Sequence, residues 1–184
     1  MIKENLQNIK NSLPANVSLV AVSKTKPNND ILEAYEAGHR IFGENKVQEC
    51  VQKHEELPKD IAWHFIGHLQ RNKVKYIAPF ISLIHGVESL KLIKTIEKEA
   101  VKNNRSINIL LQMHIAKEST KFGLTDSELY AILDSDAFRE CQNIRVVGLM
   151  GMATFSENEE AIESEFGQLK LVFDSVKNND FKLR

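Results

Sequence analysis

An α/β protein with a parallel sheet is the architecture to which this chain's patterning points. Short apolar, β-branched runs recur along its 184 residues, each followed by a stretch of helical periodicity. Several of the runs are apolar on both faces, as suits strands covered by helices or closed into a barrel.

Residues 2–13 come first and read as an amphipathic helix using Ile2, Leu6, Ile9 and Leu13. Six candidate strands follow at Val17–Val22, Arg40–Phe42, Ile61–Ile66, Ile81–Val87, Ile107–Ile115 and Arg145–Met150. Between the first two, Asp30–Ala37 places Ile31, Leu32 and Tyr35 on one stripe, and Gly38 follows as the C′ residue. A third helix is expected from Glu44 to Leu57, stopping before Pro58, and a fourth, strongly periodic, from Ser89 to Asn103. Thr125-x-x-Glu128 and Ser156-x-x-Glu159 read as capping boxes opening the later helices, the last running from about Glu157 to Lys177. Six units suit an open doubly wound sheet or most of a (β/α)8 barrel, which takes about 250 residues, and periodicity does not choose between them.

Composition narrows the function. The 42% hydrophobic and 27% charged content, with 8 Gly and 4 Pro, is that of a globular protein of one domain. Twenty-four Lys plus Arg against 25 Asp plus Glu leave a formal charge of −1, so there is no global basic field for nucleic acid or anionic lipid. Two cysteines, Cys50 and Cys141, make no disulfide framework, and the amino terminus lacks the apolar core of a signal peptide, so a cytoplasmic protein is expected. No apolar run approaches the roughly 20 residues that span a bilayer. Gly-x-Gly-x-x-Gly after the first strand, a P-loop and a Gly-x-Ser-x-Gly elbow are all missing.

Parallel α/β folds collect chemistry at the carboxyl ends of their strands. The first strand ends Val22-Ser23-Lys24-Thr25-Lys26-Pro27, and a partly desolvated Lys24 would offer a nucleophilic amine for imine formation. A solvated lysine at a strand end is the plainer alternative. The second strand ends Phe42-Gly43-Glu44-Asn45, where Asn45 offers both donor and acceptor or caps the next helix. The third leaves through His64-Phe65-Ile66-Gly67-His68-Leu69-Gln70, and His64 with His68 is rejected as a metal pair because the two flank a strand-to-loop transition. The loop from Lys117 to Gly123, with two lysines and a glycine, could hold an anion. Gly148-Leu149-Met150-Gly151 ends the sixth strand, where Met150 packs either in the core or against an aromatic ring. Cys50 lies within a periodic helix and Cys141 in a polar stretch, neither of them at a strand exit.

Ala21-Val22-Ser23-Lys24-Thr25-Lys26-Pro27, Phe42-Gly43-Glu44-Asn45-x-Val47-Gln48-Glu49, Trp63-His64-Phe65-Ile66-Gly67-x-Leu69-Gln70-x-Asn72-Lys73 and Gly148-Leu149-Met150 together resemble the pyridoxal phosphate homeostasis proteins. The motifs fall in family order and the resemblance runs from the first helix to about Asp180. It implies a (β/α)8 TIM-type barrel like the alanine racemase N-terminal domain, with an extra N-terminal helix. It also implies pyridoxal 5′-phosphate held as a Schiff base on Lys24, with Asn45, His64, Gly67 and Met150 near the ring. The role implied is a cytoplasmic, monomeric cofactor carrier without catalytic turnover, whose partners are the cofactor and the apo-enzymes that accept it. A pyridoxal-phosphate-dependent racemase or decarboxylase is the alternative, and a cofactor-independent barrel enzyme a weaker third.

The chain departs from the family at His85-Gly86-Val87-Glu88, where His-Ser-Val-Asp is usual, and at His114, where Asn is usual. Family members also continue into a seventh and an eighth strand that grip the phosphate. Residues 1–184 are therefore expected to form a single barrel domain lacking its last two strands and holding the cofactor weakly.

Overall fold

The computed structural model describes residues 1–116 and 122–178. Six strands, β1 (Ala21–Val22), β2 (Ile41–Glu44), β3 (Ala62–Phe65), β4 (Leu83–Val87), β5 (Ile107–Met113) and β6 (Ile144–Gly151), form one sheet. Every neighbouring pair is parallel, and the spatial order is the chain order. That order decides between the two plans left open by periodicity. An open doubly wound sheet reverses its strand order at a switch point, whereas a barrel wall adds strands in sequence.

Helix α1 (Ile2–Ser12) precedes the sheet, and α2 (Asn28–Glu36), α3 (Val47–Glu56), α4 (Val74–Ile77), α5 (Leu90–Lys102), α6 (Asp126–Leu133), α7 (Asp136–Arg139) and α8 (Glu159–Asn178) follow between and after the strands. Their ends carry the expected chemistry in most places. Gly38 takes φ +84° just past α2, as a left-handed C′ residue does. Ser89 caps α5 by accepting from Leu92 N, and Thr125 with Glu128 closes a full capping box on α6.

Three local expectations change. Helix α3 begins at Val47, because β2 continues through Glu44 before the chain turns. Strand β1 covers only Ala21–Val22 of the expected run. The Ser156 box does not form: Ser156 Oγ accepts from Asn158 N, and Asn158 Oδ1 accepts from Ala161 N as the chain enters α8. The single-turn helices α4 and α7 are too short for periodicity to announce. The Lys117–Lys121 loop and Phe181–Arg184 lie outside the described residues.

Alternation along each strand gives the sheet two unlike faces. In register across it, Glu44, Phe65, Ile84, Ile109 and Val146 lie on one face and are all buried. Phe65, Ile84, Ile109 and Val146, with Phe42 and Trp63, join the helix residues Val47, Cys50, Leu92, Ile93 and Ile96 in one continuous core. Each large apolar side chain buried there stabilises the fold by roughly 1.5–3 kcal/mol. The other face carries the row Val22, Gly43, His64, Leu83, Asn108 and Arg145. This row is far more accessible, with Val22 53% exposed and Arg145 exposed. It is the inner face of the barrel wall. Among the described residues, no helix is long and apolar enough to cross a membrane.

Candidate functional site

The polar strand exits lie at one end of this inner face. Lys24 stands in a turn two residues beyond β1 and is exposed, making no hydrogen bond or ion pair to a described residue. The expected partial desolvation is not found, because β1 ends early and leaves Lys24 beyond the last paired residue.

What is buried is the support behind the turn. Ser23 donates its amide to Gly43 O at 3.0 Å and its hydroxyl to Glu44 Oε1 at 2.6 Å. Lys53 Nζ, projecting from α3, donates to Ser23 O at 2.7 Å, Glu44 Oε1 at 2.8 Å and Glu49 Oε1 at 2.7 Å. All three ammonium protons thus have acceptors. Glu49 Oε1 also accepts the Thr25 amide at 2.6 Å, while Thr25 itself takes a left-handed φ of +63°. The Lys53 hydrogen bond holds the Glu49 carboxyl below the usual carboxylate value. None of Glu44, Glu49 or Lys53 is assigned a role by the sequence reading. One signal was available: Lys53 continues the buried Val47–Cys50 stripe of α3, four residues after Glu49, and a lysine at a core position requires a partner.

Asn45 follows β2 directly, and its Oδ1 is buried with no hydrogen bond from any described residue. Gly67 lies against it so closely that a Cβ there would sit 2.6 Å from Asn45 O and 2.9 Å from Asn45 Cα. Gly86 continues this close approach, since its Cβ would lie 3.0 Å from Gly67 O and 3.1 Å from Gln112 Oε1. Gln112 is paired in register with Met150. The structure thus joins Asn45 and Gly67 directly and reaches Met150, at the far side of the sheet, only through Gly86 and Gln112.

His64 sits beside Gly43 in register and meets His85, not His68: His85 Nε2 lies 3.0 Å from His64 Nδ1. Burial, with the neighbouring His85 adding to it, pushes His64 down to about 4 from the usual 6.5, and burial lowers His85 as well. Both imidazoles are therefore uncharged at neutral pH and share one N–H between facing nitrogens. His68 instead pairs with Glu88 at 3.2 Å and stacks on Phe122 at 5.2 Å. Burial also pushes the Cys50 thiol up to about 12, which removes it as a nucleophile.

The strand exits thus carry an exposed primary amine, a buried amide oxygen without a donor among the described residues and an uncharged imidazole pair. The family model for the alanine racemase N-terminal domain matches residues 1–184. A pyridoxal phosphate homeostasis protein of Aquifex aeolicus is 37% identical over 160 residues, covering 86% of this chain and 69% of the relative. One from Helicobacter pylori is 37% identical over 166 residues, covering 88% and 73%. Among solved structures, PipY of Synechococcus elongatus without PLP superposes with a TM-score of 0.90 at 33% identity, covering 97% of this chain and 83% of that one. PipY with PLP bound gives 0.88 at the same identity. Alanine racemase of Clostridium difficile, at 15% identity and a TM-score of 0.80, shares the fold over 99% of this chain and 48% of its own.

Proposed function

The chain belongs to the family of pyridoxal phosphate homeostasis proteins, built on the alanine racemase N-terminal fold, and from that premise we propose that it binds pyridoxal 5′-phosphate through Lys24 as a carrier of the cofactor, without turning over a substrate. The observation that carries this reading is the turn around Lys24: an exposed amine whose flanking backbone is held by the buried Ser23, Glu44 and Lys53.

Bound there, the cofactor supplies an aldehyde that condenses reversibly with a primary amine, releasing water. Lys24 provides the amine. Asn45 Oδ1 offers an acceptor to a hydroxyl or a protonated nitrogen. His64, uncharged, contributes a neutral polar contact beside Gly43 without repelling the Lys24 ammonium. Gly67 lets the exit of β3 pack directly against Asn45 and so fixes where that amide sits, and Met150 lends a polarizable thioether. The non-catalytic role is supported by the name that the relatives share. In this reading the protein works in the cytoplasm as a monomer and passes the cofactor to apo-enzymes.

Mixing the purified protein with the cofactor should produce a visible absorption band. Borohydride should then fix the cofactor's mass on the wild type but not on Lys24→Ala. Equal bands and equal masses in both proteins would remove Lys24 from this role, and amino-acid turnover abolished by borohydride would replace the carrier with an enzyme.

A further inference from the structure

Two peptide units define the φ and ψ of Lys24. The first contains Ser23 O, and the second contains Thr25 N. Lys53 Nζ donates to Ser23 O at 2.7 Å, and Glu49 Oε1 accepts from Thr25 N at 2.6 Å. The two groups are joined to each other at 2.7 Å and lie one turn apart on α3. A single i,i+4 pair therefore holds the backbone on both sides of the proposed attachment residue.

The hold is needed for a physical reason. Thr25 has a φ of +63°, a conformation that costs a non-glycine residue roughly 1–2 kcal/mol and persists only where the surroundings impose it. Lys53 is anchored in turn by Glu44, which is fully buried on the helix-covered face, so the turn is tied to the core of the sheet. Glu44 immediately precedes Asn45, and the same few residues thus set the lysine turn and the amide that lies against Gly67.

We infer that Glu49 and Lys53 are positioning residues for Lys24: the pair presets the lysine backbone so that its amine meets an incoming aldehyde without a prior rearrangement of the turn. The inference rests on the reading of Lys24 as the attachment residue. Neither side chain touches the cofactor in this scheme. Their effect is on how fast the amine captures an aldehyde.

The test follows the growth of the visible band after rapid mixing with pyridoxal 5′-phosphate and, separately, with pyridoxal, which probes the amine without the phosphate. Glu49→Ala should slow capture of both aldehydes about tenfold or more, because small misplacements of a reacting group are costly. Glu49→Gln keeps an oxygen for the Thr25 amide and should stay within about threefold of wild type. Glu49→Asp keeps the charge but shortens the reach, so it should be slowed by an intermediate amount, and it carries the test if the alanine variant does not fold.

Leu133→Ala, a buried change on α6 away from the turn, serves as the control for stability alone. It should lower the melting temperature and leave the capture rate at the wild-type value. A wild-type rate in whichever of the Ala and Asp variants folds, or equal slowing by Leu133→Ala, overturns the inference. Capture at the wild-type rate by Lys24→Ala overturns the Lys24 reading instead, so the two failures are distinguishable.

Discussion

Strands β2 and β3 carry two polar clusters on opposite faces, and they solve the problem of burial in opposite ways. On the helix-covered face, Glu44, Lys53 and Glu49 form ion pairs, and Lys53 Nζ lies within 2.8 Å of three acceptors, although Glu44 Oε2 has no hydrogen-bond partner among the described residues. On the inner face, His64 and His85 are uncharged, and Asn45 Oδ1 is left without a donor among the described residues. Charge can stay where the core surrounds it only if it is tightly paired. Neutral, incompletely satisfied groups can stay on the open face because a ligand or water can complete them. One face thus holds the site in shape, and the other is available to bind.

Breaking the charged cluster should have the larger consequence. Lys53→Met leaves two carboxylates without their cation, one of them fully buried, and should cost about 3–5 kcal/mol, read as a fall in the urea midpoint. A loss under about 1 kcal/mol would mean that the cluster is exposed to water in solution.

The inner face should respond to shape more than to charge. Gly67→Ala places a methyl 2.6 Å from Asn45 O, so the backbone must move, at about 1–3 kcal/mol of stability. Cofactor capture should weaken with it, whereas Gly38→Ala, far from the strand exits, should affect stability alone.

The smallest effect separates the clusters by pH. Burial holds His64 and His85 below 6.5, so the unfolded chain binds protons more readily than the folded one. Their contribution is fully present above pH 6.5 and is lost as the pH falls from 6.5 toward 4, the value that His64 takes. Denaturant midpoints measured from pH 7.5 down to 5 should therefore fall less steeply in His64→Gln than in wild type. Parallel curves would show that the pair titrates normally.

Much of the fold is legible in the chain because its signals are local. The apolar runs sit where the strands form, Gly38 and Thr125 mark helix ends, and the quoted motifs point to the family before any coordinates. The errors are local as well. Ser156-x-x-Glu159 satisfies the capping pattern, yet Asn158, lying between the two, takes the cap because α8 starts at Glu159 and Asn158 stands immediately before it, with its Oδ1 accepting from Ala161 N. Lys24, Asn45 and Met150 stand out at the strand exits by residue type, whereas His64 and Gly67 enter as expected cofactor neighbours only through the family resemblance. Their support is harder to read, because the one signal, Lys53 on the Val47–Cys50 stripe, names its partners only when α3 is laid on the sheet.

By itself the sequence determined the alternation of strands and helices and the family, since periodicity, caps and contiguous motifs are properties of neighbouring residues. Only the tertiary structure decided that the strands follow one another in spatial order, that His64 faces His85, and that Lys53 closes on a carbonyl 30 residues away. Register between strands and the seating of a helix on a sheet bring distant residues together, and no local pattern in the chain specifies which distant groups will meet.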